Sequence, residues 1–160
     1  SYAQASLAIV HADGSVVEGP GGFDFPNGTV IDPLGHQLVV AESYGSRLTA
    51  FDIEADGSLT ARREFADLGK RVPDGICLDA EGAVWVADPV NGTCFRVLEG
   101  GEVTDVVELE FNCFACMLGG PDRRTLFMIT APTSKAKGLA ARLEGRIETV
   151  RVEVAGAGRP

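Results

Sequence analysis

Residues 71–89 read RVPDGICLDAEGAVWVADP, and residues 25–43 read FPNGTVIDPLGHQLVVAES. Both begin with Pro-(Asn/Asp)-Gly, place an aspartate five residues after the Asn/Asp, follow it with a glycine, and close on Val-Ala-acid. Pro26 and Pro73, Asp32 and Asp79, and Gly35 and Gly82 are each 47 residues apart. A third, degenerate copy follows at FACMLGGPDRRTLFMITA, with Phe114-Ala115-Cys116 in the place of Pro-Asn-Gly. Between the copies lie four hairpin signals, LAIVHADGSVVEG, RLTAFDIEADGSLTARREFA, CFRVLEGGEVTDVVEL and AARLEGRIETVRVEV. Their turn glycines, Gly14, Gly57, Gly101 and Gly145, are spaced by 43, 44 and 44 residues. Asp-Gly or Gly-Gly between β-branched runs supplies the positive φ that a tight hairpin requires.

Each unit therefore predicts four short strands, and no segment keeps a 3.6-residue apolar period. The best helical candidate, TSKAKGLAARLEG, is interrupted by Gly138 and reads as a loop leading into a strand. Four-stranded units repeating every 40 to 50 residues are the signature of β-propeller blades. The expected fold is all-β, one domain over 1–160 holding about three and a half blades. Propellers protect their sheet edges by radial closure, so such a set calls for further blades or for self-association.

Composition narrows the partners. The 160 residues are 45% hydrophobic and 23% charged, which is the balance of a folded domain. A formal net charge of -9 disfavours nucleic acid and favours a cation. No apolar run approaches the ~18 residues of a membrane helix, and SYAQASLAIV carries neither the basic nor the apolar part of a signal peptide. Cys77, Cys94, Cys113 and Cys116 are read as reduced thiols of a cytoplasmic protein. Cys113-Phe-Ala-Cys116 has redox or half-zinc spacing, but Cys77 and Cys94 stand alone in sequence and Phe111, Phe114 and Met117 make it a packed strand. Ser134-x-x-Lys137 matches a nucleophile motif without its companions, and His11 and His36 sit beside hairpin turns as solvent-facing residues.

Equivalent positions in successive blades are related by rotation about one axis. Asn27 and Asp74 hold such equivalent positions just before an inner strand, so they are expected to converge. An amide oxygen beside a carboxylate suits Ca²⁺, Mg²⁺ or Mn²⁺, with Zn²⁺ as an alternative. The competing reading takes Pro-Asn-Gly and Pro-Asp-Gly as turns, since all these residues are turn formers. Asp32 and Asp79 read as turn caps, while Glu42 and Asp88 line the channel mouth or face solvent.

FDFPNGTVIDPLGHQLVVAESYGSRLTAFDIEADGSL, VPDGICLDAEGAVWVADP and CFACMLGGPDRRTLFMITA together resemble the regucalcin (senescence marker protein), gluconolactonase and luciferin-regenerating enzyme family. The resemblance implies a six-bladed propeller with one divalent metal at its axis, Ca²⁺ foremost, and hydrolysis of a small sugar lactone. By motif it makes Asn27 a metal ligand and Asp74 both a metal ligand and the general base. It also implies a metal-binding glutamate and substrate-contacting Arg and Asn in a portion not represented here, the chain resembling the C-terminal half. The alternatives are a non-catalytic calcium- or partner-binding propeller, and a related metal-dependent esterase or phosphotriesterase.

Overall fold

The computed structural model describes residues 3–132 and 144–158. The motif at Ser134 and Lys137 and most of the loop around Gly138 lie outside these residues. Thirteen described strands make four antiparallel sheets, with no helix among the described residues. The first sheet pairs β1 (Ala8–Val10) with β2 (Val16–Glu18). The second is a meander of β3 (Pro26–Ile31), β4 (Gln37–Glu42), β5 (Arg47–Ile53) and β6 (Leu59–Asp67). The third repeats that order in β7 (Ile76–Leu78), β8 (Val84–Asp88), β9 (Thr93–Val97) and β10 (Val103–Glu108). The fourth holds β11 (Asn112–Gly119), β12 (Thr125–Ala131) and β13 (Arg146–Arg151).

Three of the expected hairpins form around left-handed glycines, at φ +85° for Gly14, +83° for Gly57 and +94° for Gly101. The first strand of the fourth hairpin signal lies outside the described residues. Gly145 has no positive φ, and the strand after it pairs directly with β12 as the third strand of its sheet.

The sheets stack face to face, and the central strands show why. β4 and β8 are buried on both faces, so the runs VVAE and VWVAD are nearly continuous apolar stretches. Val39 and Ala41 of β4 meet Val84 and Val86 of β8 between the second and third sheets, together with Leu48, Phe65 and Phe95. Val40 faces the other way, packing with Phe23 and Phe51 toward the first sheet. Trp85 and Ala87 face the fourth sheet and meet Leu118, Leu126 and Met128.

All four cysteines lie in that last seam, buried and unbridged. Cys77 and Cys94 do not stand alone, since the Sγ atoms of Cys77 and Cys116 are 3.9 Å apart. The Cys77 thiol is pushed up by the Cys116 thiol and by burial, and the Cys94 thiol by Cys113 and by burial. Both thiols therefore stay protonated and act as small apolar fillers. At the far end the chain returns to the third sheet, where Ala80 N–H donates to the Ala155 carbonyl at 2.8 Å and Ala157 N–H to Leu78 at 3.1 Å.

Candidate functional site

The first strands of the last three sheets, β3, β7 and β11, run side by side, and their starting residues touch. Gly28 N–H donates to the Asp74 carbonyl at 3.1 Å, and Gly75 N–H donates to the Phe114 carbonyl at 3.0 Å. The two bonds are equivalent, so Phe114 and Ala115 correspond to Asp74 and Gly75. This shifts the third copy by one residue from its expected alignment, with Cys113 in the proline position.

The glycines of the repeated device are not turn residues, because neither has a positive φ and Asn27 and Gly28 already belong to β3. They are required by approach. A β-carbon on Gly28 would come within 2.5 Å of the Asp74 carbonyl oxygen and 2.7 Å of the Ile76 nitrogen. One on Gly75 would lie 2.8 Å from the Ala115 Cα.

This close approach brings Asn27 and Asp74 together. Burial pushes the half-buried Asp74 carboxyl up, and the Asn27 amide beside it offsets part of that rise. The Asn27 amide nitrogen also donates to Ser43 Oγ at 3.3 Å. Ser43, itself buried, donates to the Pro73 carbonyl at 2.6 Å. Asn27 and the segment bearing Asp74 are therefore tied through one hydroxyl. Ser43 belongs to no motif of its own, and its only signal in the sequence is its place directly after Val-Ala-Glu.

The other acids of the repeat are structural. Asp32 Oδ1 accepts the N–H groups of His36 and Gln37 at 2.5 and 2.7 Å. Asp79 Oδ1 accepts those of Glu81 and Ala83, while its Oδ2 accepts Arg96 Nε at 2.6 Å. Both are the turn caps expected. Glu42 and Asp88 are neither at a channel mouth nor in solvent, since both are fully buried. Glu42 accepts the Asp24 N–H at 2.8 Å, Arg47 at 2.8 and 3.0 Å, and the Thr49 hydroxyl at 2.5 Å. Burial alone would push its carboxyl up, but these donors outweigh it and bring the pKa to about 2. Asp88 holds the next turn through the Val90 and Asn91 N–H groups and the Asn91 amide. His36 is exposed, whereas His11 is half-buried beside the Gly57 turn.

The donors at Asn27 and Asp74 fit an oxygen-preferring cation. Among the described residues Asp74 has no cationic side chain as partner, and its neighbour offers an amide. No group of three or more His, Cys, Asp or Glu side chains able to hold an ion occurs among the described residues. The pair thus offers two oxygen donors, and any further donors would have to be other groups or lie outside these residues.

Repeated four-stranded meanders, stacked face to face with an Asn-Asp pair where their first strands meet, define an all-β protein of blade-like sheets. Residues 1–132 match the family described as SMP-30/Gluconolactonase/LRE-like region, and the chain belongs to this family. It is 33% identical over 135 residues to regucalcin of Xenopus laevis, covering 80% of this chain and 44% of that protein. It is 29% identical over 140 residues to 6-deoxy-6-sulfogluconolactonase of Pseudomonas putida, covering 84% of this chain and 48% of that protein. Among solved structures it superposes with a TM-score of 0.76 on a calcium-binding protein, regucalcin, of Agrobacterium tumefaciens. That match has 25% identity and covers 93% of this chain and 53% of the other. The chain spans about half the length of the relatives it matches.

Proposed function

We propose that this chain forms part of a divalent-metal-dependent sugar-lactone hydrolase, its sheets being blades of a six-bladed propeller completed by residues outside it. The observation that carries this reading is the meeting of the Asn27 amide and the half-buried Asp74 carboxyl at the start of neighbouring first strands. A family that includes gluconolactonases, and a relative named for a sulfogluconolactonase, support the reaction class.

Asn27 and Asp74 would hold the cation, Ca²⁺ foremost and Zn²⁺, Mn²⁺ or Mg²⁺ otherwise. When bound, such an ion supplies Lewis acidity toward a lactone carbonyl and lowers the pKa of a nearby water. Asp74 takes the proton of the attacking water on its carboxylate oxygen. Burial raises the pKa of its carboxyl from 3.8, which makes it a better base than an exposed aspartate. With a cation held beside it this rise would be offset, so Asp74 would position the attacking water as well as accept its proton. Asn27 holds its orientation through the hydrogen bond to Ser43.

Replacing Asp74→Asn in the full-length protein tests this reading. Hydrolysis of glucono-δ-lactone with added Ca²⁺, Mn²⁺ or Zn²⁺ should fall by at least ~100-fold. Metal affinity should weaken by an order of magnitude, read by calorimetry. Retained turnover would sink the assignment. The second reading is a calcium-binding protein without turnover, favoured by the description of the Agrobacterium relative. It predicts Ca²⁺ binding that Asn27→Ala weakens, with no hydrolysis of any aldonolactone.

A further inference from the structure

Phe25 adopts φ +61°, a left-handed conformation that a bulky side chain takes only under constraint. The constraint is visible. Ser43 N–H donates to the Phe25 carbonyl at 3.0 Å, Tyr44 N–H donates to the Asp24 carbonyl at 3.1 Å, and the Asp24 N–H is held by buried Glu42 at 2.8 Å. The strain does not serve packing, because Phe25 is 46% exposed. Phe23, Phe51, Phe65 and Phe95, by contrast, are all at most 1% exposed. The Phe25 ring lies against that of Tyr44, which is 65% exposed, with centroids 4.7 Å apart and planes tilted by 33°.

The position of the pair is informative. Phe25 stands two residues before Asn27, and Tyr44 directly follows Ser43, the partner of the Asn27 amide. Backbone strain that keeps an aromatic ring exposed, two residues along the chain from a polar pair, is the pattern of a ligand contact. Binding sites combine an apolar wall with a few placed polar groups, and here Asn27, oriented by Ser43, and Asp74 supply the polar part. The ligand this suits has one face of C–H groups and a rim of oxygens.

We propose that Phe25 and Tyr44 form a platform on which the saturated, polyhydroxylated ring of the substrate lies by its C–H face, with its carbonyl end toward Asn27 and Asp74. This rests on the lactonase reading above and names its specificity-determining residues. The pair sets affinity for the ring and takes no part in proton transfer.

The test uses the full-length protein with Phe25→Ala and Tyr44→Ala, and with Phe25→Tyr and Tyr44→Phe as conservative partners. For glucono-δ-lactone each alanine variant should raise KM about tenfold and change kcat by less than about threefold, while the conservative variants stay near wild type. Binding is read separately by saturation-transfer NMR with 1,5-anhydroglucitol, a closed ring with no lactone bond to cleave. Its ring C–H signals should receive saturation from the wild type and lose it in both alanine variants. Turnover with unchanged KM, together with unchanged saturation transfer, would overturn the platform and leave the lactonase reading standing. Saturation transfer that depends on both rings, in a protein without lactone turnover, would keep the platform and remove the lactonase reading. Phe25→Gly supplies a further check, since glycine relieves the positive φ. Its Tm should hold or rise while ring binding weakens, and a fall of the size expected for a buried phenylalanine would assign Phe25 to packing instead.

Discussion

Glu42 combines zero exposure with a full negative charge, and it tolerates both because Arg47, Thr49 and the Asp24 N–H surround it. Its carboxyl is depressed from 4.5 to about 2. A depressed acid stabilises the fold fully above its unfolded pKa, and the benefit is lost as pH falls toward the folded one. Glu42 therefore contributes on the order of 3 kcal/mol near neutral pH, disappearing between about pH 4.5 and 2. Glu42→Gln should lower stability in urea by roughly 3 kcal/mol at pH 7 and flatten the acid limb of the stability curve. An unchanged acid limb would mean that other carboxylates govern it. The sequence showed this residue as the acid of a repeated Val-Ala-acid device but not its role. That role depends on Arg47 and Thr49, which reach Glu42 only across the β4–β5 pairing.

At the scale of strands, the meanders were legible because turn chemistry and apolar alternation agree through most of the chain. Legibility failed in the third copy, where Cys113-Phe-Ala stands in place of Pro-x-Gly and leaves neither proline nor glycine to fix the alignment. The glycines of the Pro-x-Gly device make the complementary case. Turn propensity and strand crowding both call for glycine, and only the neighbouring strand decides between them. The two demands separate by mutation. Gly35, at φ +76° with open space around it, should lose about 1 kcal/mol as alanine. Gly28→Ala should cost more, about 1–3 kcal/mol, because a methyl group meets the backbone of Asp74 and Ile76. The second substitution should also disturb the Asn27-Asp74 pair, giving weaker metal binding in the full-length protein. Equal costs from denaturant unfolding would refute the crowding account.

Across the whole molecule, convergence of Asn27 and Asp74 followed from repeat arithmetic alone, because residues at one repeat position meet where the first strands meet. Ser43, Phe25 and Tyr44 were invisible to that arithmetic, since each owes its place to a neighbouring strand or to backbone strain rather than to spacing. The stacking of sheets has another consequence. The seam between the third and fourth sheets holds all four thiols and Trp85, the chain's one tryptophan, with Cys116 Sγ 3.4 Å from the Trp85 carbonyl. Native protein should resist alkylation by iodoacetamide at all four cysteines, because none is more than 5% exposed. Labelling under native conditions should then proceed only through opening of the seam, with all four sites accelerating together in mild urea. Fast labelling of one cysteine alone would contradict a seam that opens as a unit. Thiols quench indole emission, so the molecule carries its own optical gauge: a rise in fluorescence reports the moment two neighbouring sheets part company.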